Sequence, residues 1–539
     1  MMKRKYFTNP ICLLLPVFFC FTFLTGLKAQ QTDPNAGLKK YNTAMQIIKY
    51  AYVDTINEGK LIEKAIVETL KELDPHSVYI PKSEVQRANE PLEGNFDGIG
   101  VQFEILKDSI TVVHPIPGGP SEKLGIMSGD KIIKIDTEIV VGKKISNQFV
   151  LDHLRGKRGT KVGVSIYRKG KKDLIDYIIT RDKIPINSID AAYLITPDVG
   201  YVNLNKFSQT SVQEFTEAMT RLKSEGMKNL ILDLRNNSGG YMGTAIELSD
   251  EFLDPDRLIV YTKGIRSPRE DFYSTVRGLF EKGKLVIMIN ENSASASEIV
   301  SGAIQDWDRG IIVGRRSFGK GLVQRPFNLP DSSQMRLTTA RYYNPSGKCI
   351  QKSYQAGTDK YYEDFSQRVK HGELIHADSI KFPDSLKYYT SKKRVVYGGG
   401  GIMPDIFIPW DSTRVSDYYL DLRRKNVINL FVGDYVDRNR KTLKQNFPLF
   451  SSFDKNFLLN DDFMKDFFRF AEKEGVKKDD KGYVDSETLI KSQIKGLIAQ
   501  KLWDMNELFT ILNEHDEEVQ KAVEVIQDDS LFDQLKIDH

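Results

Sequence analysis

The stretch 286–324, VIMINENSASASEIVSGAIQDWDRGIIVGRRSFGKGLVQ, decides how the rest of the chain is read. An apolar strand, Leu285–Ile289, runs into a short polar turn. A helix is predicted from near Ser295, with Ile299, Val300, Ala303 and Ile304 on one face at amphipathic spacing. A second apolar run, Ile311–Gly314, leads to the loop Ser317-Phe318-Gly319-Lys320-Gly321. A serine at a helix N-terminus lies beside free backbone N–H groups that can stabilise an oxyanion. Its hydroxyl needs a base, and the nearest downstream histidine, His371, is far along the chain. Lys320, between two glycines that let the backbone turn sharply, is the candidate. A lysine accepts a proton only when neutral, and with a free pKa of ~10.4 fewer than about one in a thousand are neutral at pH 7. Lowering it to ~7–8 takes roughly 3–5 kcal/mol against the charged form, which an apolar pocket can provide. Val300, Ile304 and Ile311–Val313 are the expected walls. A second reading stays open on pattern alone: Ser295-Ala-Ser-Glu298 is also a capping box, and Lys320 a surface lysine.

The runs SASASE, GAIQD and FGKGLVQ resemble the carboxyl-terminal processing peptidases, or tail-specific proteases. The resemblance implies that Ser295 is the nucleophile, that Lys320 is its base, and that Gln324 orients the lysine amine. Ser293 and Ser297 are then neighbours only. Residues 233–240, DLRNNSGG, resemble the family's DLRNNPGG. That implies an oxyanion hole made by the N–H of Gly239 or Gly240 and that of Ala296, with Ser238 in place of the usual proline. Asp233 and Arg235 are expected to pair and hold this turn. LDPHSVY, 73–79, resembles the segment that precedes the family's PDZ domain, and His76 is read as structural beside a proline turn. Gly398–Gly401 with Ile402-Met-Pro404-Asp405 resembles the GGxxPD element closing the family's core. No GK[ST] follows those glycines, so they do not read as a phosphate cradle.

The chain has 539 residues, enough for about three or four domains; at 40% hydrophobic and 28% charged its composition is globular. Lys3, Arg4 and Lys5, the apolar run Ile11–Thr25, and Leu27-Lys-Ala29 ahead of a polar stretch read as a secretory signal peptide, cleaved after Ala29. The alternative is an uncleaved membrane anchor. Removing the four basic residues of 1–29 from 77 leaves 73 basic against 73 acidic residues. With no basic stripe, nucleic-acid binding is not expected. Cys12 and Cys20 leave with the signal; Cys349 alone remains, so no intrachain disulfide is expected. No HExxH motif or Cys/His cluster offers a zinc site.

Residues 30–90 are predicted mainly helical. Residues 91–183 switch to strand patterning: Gly98-Ile99-Gly100-Val101 precedes a strand, and GPSEKLGI and GDKI follow. This resembles a PDZ domain. An extended peptide would pair with the strand after Gly100, its terminal carboxylate received by the amides of Gly98, Ile99, Gly100 and Val101. Asp136-Thr-Glu-Ile139 stands where relatives have a glycine turn. Arg155 and Arg158, ending the predicted groove helix, are candidates to relay peptide binding. Residues 184–410 form an α/β core, with Val199–Leu204 and Leu230–Leu234 as buried strands and Ser211–Ser224 as a helix. Residues 411–539 read as charged helices that pack on the core, form a homo-oligomer or bind an adaptor.

Together these imply an α/β fold: a crotonase-like protease core with an inserted β-rich PDZ domain and helical N- and C-terminal extensions. The function implied is an exported serine endopeptidase of a bacterial periplasm or envelope. It would capture protein C-terminal tails and hydrolyse peptide bonds with a Ser-Lys dyad through an acyl-enzyme, without metal or cofactor. The alternative is a non-catalytic PDZ scaffold on an inactive protease core.

Overall fold

Leu230, Leu232, Leu285, Ile287 and Ile289 alternate with Ile231, Val286 and Met288, and the two sets bury on opposite faces of one sheet. Strands apolar on both faces belong to a parallel sheet covered from both sides. The computed structural model, which describes residues 33, 35–106, 108–275 and 278–538, places them so. The predicted signal peptide lies outside the described residues. The six-stranded sheet runs Ile189–Thr196, Val199–Leu204, Asn229–Asp233, Leu285–Ile289, Ile311–Gly314, Ile406–Phe407. Only the first pair is antiparallel. Parallel neighbours need crossovers; helices Ser211–Ser224, Met242–Asp250 and Ala296–Asp306 supply them and pack on one face. Helices Glu517–Gln527 and Asp529–Gln534 cover the other.

A five-stranded sheet joins Val78–Ile80, Leu258–Lys263, Glu270–Tyr273 and Leu322–Asn328 around Gln334–Tyr343. It brings the turn before Val78 against the strand carrying Gln324. A third sheet, of antiparallel strands from Val101–Leu106 to Ile175–Thr180, surrounds Ile110, Ile132, Ile166 and Ile179, with helix Asn147–Leu154 packed on it. Val101–Leu106 is at its edge. The strands Asn95–Gly98 and Asp182–Pro185 pair antiparallel where the chain enters and leaves this block. In the DTEI turn, Asp136 adopts a left-handed φ of 49° and its Oδ1 accepts the Gly163 N–H at 2.8 Å, so an aspartate does there what a glycine would.

The described residues divide into two units, separated between Ala65 and Ile66. In the first, helix Ala36–Ala51 has no buried residue. In the second, helices between Asp417 and Asn513 enclose an aromatic-rich core of their own. Arg235 pairs with Asp233, as expected, and also with Asp516 and Glu518 at the start of Glu517–Gln527. Among the described residues no helix is long and apolar enough to cross a membrane.

Candidate active site

Strand Leu285–Ile289 is followed by a tight turn that places Ser295 at φ 57° and ψ −110°, just before helix Ala296–Asp306. A residue with a Cβ pays strain there, and such strain concentrates at functional turns. The flanking serines are spent on backbone: Ser293 Oγ donates to Leu234 O and Ser297 Oγ to Asn237 O, both at 2.8 Å and both fully buried. Ser295 instead lines a cleft of about 370 Å³ together with Lys320, Gln324, Gly239 and Gly240.

Glu298 ties the serine turn to the lysine loop. Its Oε2 accepts the N–H of Ser295 at 2.8 Å and of Lys320 at 2.9 Å; its Oε1 accepts Gly319 N–H at 2.7 Å and Ser317 Oγ–H at 2.5 Å. Burial raises its pKa, and these four hydrogen bonds oppose that rise. The capping arm read from the sequence is therefore present, and the same carboxylate does more than cap. The Tyr342 hydroxyl lies 2.8 Å from Lys320 O and 3.1 Å from Ser295 O, a second tie between the same segments.

Lys320 Nζ donates to Gln324 Oε1 at 3.0 Å, and Gln324 Nε2 donates to His76 O. The His76 turn is itself pinned: Asp74 Oδ1 accepts the N–H of His76 and of Ser77 at 2.8 Å, and Tyr361 OH is 2.8 Å from His76 Nε2. Burial pushes the Lys320 amine below the ordinary lysine range, against the opposing pull of Glu298 and Asp74. Burial, and then the nearby Lys320, push His76 down to about 4, so it is neutral at pH 7. The apolar walls differ from the expected ones. Val300, Ile304 and Ile311–Val313 lie within the sheet core, and the cleft is lined by Ile299, Leu322, Val323 and Tyr342. One helix face carries both Ile299 and Val300, and the sequence does not say which turns to which neighbour.

Gly239 adopts φ 99°, and its backbone runs against the serine turn: a Cβ there would lie 2.8 Å from Ala294 O and Ser295 Cβ, and 3.0 Å from Ala296 N. The Gly239 N–H already donates to Asn237 Oδ1 at 2.9 Å. Gly240 closes on Phe207, whose carbonyl accepts from Tyr241 N–H at 2.9 Å.

The glycine loop of the edge strand lines a separate cleft. Ile99, Gly100 and Val101 belong to it, with Leu151 and Leu154 opposite; Gly98 stands just outside, paired with Asp182. Gly100 has φ 72°, and the loop is fixed by Ile99 O accepting Ser121 Oγ–H at 2.6 Å. Arg155 donates to Glu90 and stacks on Phe96, whereas Arg158 stays exposed and donates to Asp182 at 2.7 Å. Helix Lys82–Glu93 connects the two clefts: Asn89 and Leu92 line the first, and Glu90 takes Arg155 beside the second. Glu298's second role, the His76 carbonyl, Tyr342 and this helix are what the sequence reading missed. Only Glu298 and His76 lay inside motifs that could have pointed to them.

Residues 198–360 match peptidase family S41, residues 98–179 match the PDZ domain, and residues 24–84 match the activating protease CtpB N-terminal domain. Residues 418–504 match a family of unknown function. A carboxy-terminal-processing protease of Bartonella bacilliformis is 36% identical over 322 residues, 58% of this chain and 72% of that protein. The carboxy-terminal processing protease CtpA of Bacillus subtilis is 33% identical over 330 residues, 61% of this chain and 70% of that protein. CtpB of the same organism is 31% identical over 325 residues, 60% and 67%.

Proposed function

This chain belongs to peptidase family S41, the carboxy-terminal processing serine proteases, with a PDZ domain, and we propose that Ser295 is its nucleophile and Lys320 its general base. The observation that carries this is the pairing, in one cleft, of a serine held at positive φ with a lysine whose amine burial drives toward neutrality. Ser295 Oγ attacks the scissile carbonyl carbon and its proton passes to Lys320 Nζ. The oxyanion takes the N–H of Ala296 and of Gly240, since the Gly239 amide is already engaged. On collapse the C–N bond breaks, Lys320 returns the proton to the leaving amine, and an acyl-enzyme remains. Lys320 then takes a proton from water as the water oxygen attacks the acyl carbon; on collapse the ester C–Oγ bond breaks and Lys320 returns that proton to Ser295 Oγ, releasing the carboxyl product. Gln324, clamped by the His76 carbonyl, fixes the amine's direction.

Substrate proteins enter by their C-terminal tails, which add a strand to the edge of Val101–Leu106 with the terminal carboxylate at the Gly98–Val101 loop. The core is of the crotonase-like type, a reading favoured by its covered parallel sheet. We divide the chain at the boundaries given above, 30–90, 91–183, 184–410 and 411–539, after an export signal at 1–29 that directs it to a bacterial periplasm or envelope. Oligomer or adaptor contacts are assigned to the C-terminal helices. A non-catalytic scaffold would have no use for Lys320 held by Gln324 beside Ser295.

The test is cleavage of a tail peptide by Ser295→Ala and Lys320→Ala proteins, each checked for native unfolding. Both should lose activity by roughly a thousandfold or more. Wild-type activity in either removes that residue from the chemistry.

A further inference from the structure

The edge strand Val101–Leu106 presents two faces. Val101, Phe103 and Ile105 turn inward on the small β core, while Gln102 is exposed and Glu104 turns to the C-terminal helices, 3.8 Å from Lys501. Those helices dock on the outer side of the same block. Asp437 of helix Val427–Asn446 sits within 3.0 Å of where a Gly129 Cβ would be, and Glu104 within 3.4 Å of that of Gly433. At the groove itself, a cleft of about 600 Å³, one wall is Leu151 and Leu154 and another is Gln500, Asp504 and Met505. The second wall is contributed by residues some 400 positions downstream of the strand they face.

A strand added to an edge alternates its side chains between faces. With the terminal carboxylate at the glycine loop, the final side chain turns toward Leu151 and Leu154, and the penultimate one toward the opposite face. In a lone domain of this kind that position would meet water; here Gln500, Asp504 and Met505 line the same cleft. Asp504 and Asp190 both line the cleft. Of the cations beside it, Arg155 is engaged by Glu90 and Lys501 lies 3.8 Å from Glu104, which leaves Asp504 as the carboxylate of this segment that faces the groove.

We propose that residues 500–505 of the C-terminal extension complete the tail-binding groove and, through Asp504, select tails with a basic penultimate residue. This rests on the tail-capture reading above and adds to it a composite site and a substrate class.

Fluorescence polarisation on the full chain carrying Ser295→Ala tests it. The probes are decapeptides ending Lys-Val, Ala-Val or Glu-Val with a free carboxyl, and the Lys-Val peptide as its C-terminal amide. The expected order is Lys-Val tightest and Glu-Val weakest, with about fivefold between extremes, the scale of one partly exposed charge pair. Asp504→Asn keeps a side-chain oxygen for the N-cap, where Asp504 accepts from Met505 N–H at 2.8 Å, and removes the charge. It should abolish the discrimination, bringing the Lys-Val and Glu-Val affinities together. If amidation weakens binding but penultimate residues are indistinguishable, or their ranking survives Asp504→Asn, the composite groove is overturned and tail capture stands. If the amide binds as tightly as the acid, both fall.

Discussion

Gly239→Ala separates the account from a merely folded protease core. The residue sits at φ +99°, where an alanine costs about 1–3 kcal/mol of backbone strain. Its new methyl would lie 2.8 Å from Ala294 O and Ser295 Cβ and 3.0 Å from Ala296 N. Carbon atoms settle at about 3.5–4.0 Å, so the glycine turn and the serine turn must part by roughly 0.5–1 Å. That gap opens between the serine turn, with its Ala296 amide, and the Gly240 amide proposed to hold the oxyanion beside it. A displacement of about 1 Å can cost 10²-fold, and loss of one oxyanion donor about 10²–10³. We expect kcat/KM for a tail peptide to fall at least ~100-fold, about 2.7 kcal/mol of transition-state stabilisation, mostly in kcat. Gly243→Ala is the control. It lies exposed in helix Met242–Asp250 with nothing within 4 Å of the added carbon. It should leave kcat/KM unchanged and stabilise by about 0.5–1 kcal/mol. Steady-state cleavage and thermal unfolding on both variants decide the matter. A Gly239→Ala protein within about threefold of wild type would refute the reasoning, as would an equal loss in Gly243→Ala.

Glu298→Gln replaces one accepting oxygen by an NH₂ facing two donors. With each hydrogen bond to the carboxylate worth about 1.5–3 kcal/mol, the urea midpoint should drop by the equivalent of ~3 kcal/mol and cleavage should fall with it; a midpoint within error of wild type would mean Glu298 does not join the two segments. His76 has its pKa depressed from 6.5 to about 4, so between those values the unfolded chain binds more protons than the folded one. Its neutral form's contribution is whole above pH 6.5 and is lost as pH falls through 4, about 3 kcal/mol in all. Urea unfolding of wild type and His76→Phe at pH 7 and pH 4.5 should show a smaller acid loss in the variant; parallel losses would place the acid sensitivity elsewhere.

Much of the core was legible because its signals are local. The continuous apolar runs at 285–289 and 311–314 are strands with those ends, since residues buried on both faces leave no polar break inside them. The serine turn and the lysine loop each carry glycine or cap chemistry within a few residues. What escaped is what the chain joins across distance. Gln324 meets the His76 carbonyl across 248 positions, and a carbonyl has no side-chain signature in sequence. Val300 and Ile304 show an amphipathic stripe, but the 3.6-residue period marks an apolar face without naming what it meets, and here it meets the sheet. Residues 500–505 look like an ordinary helix junction, and only the docking of the C-terminal helices brings Asp504 to a groove formed by residues near 100.

The central claim is that burial makes Lys320 able to accept a proton. Its side-chain pKa can be read directly by NMR titration of the protein labelled at lysine Cε, with Lys320 assigned through Lys320→Met. A resonance titrating well below the ordinary value near 10.5, in step with the rising limb of kcat/KM against pH, is the predicted result. A Lys320 signal that stays charged up to pH 10 in a protein actively cleaving at pH 7 would contradict it.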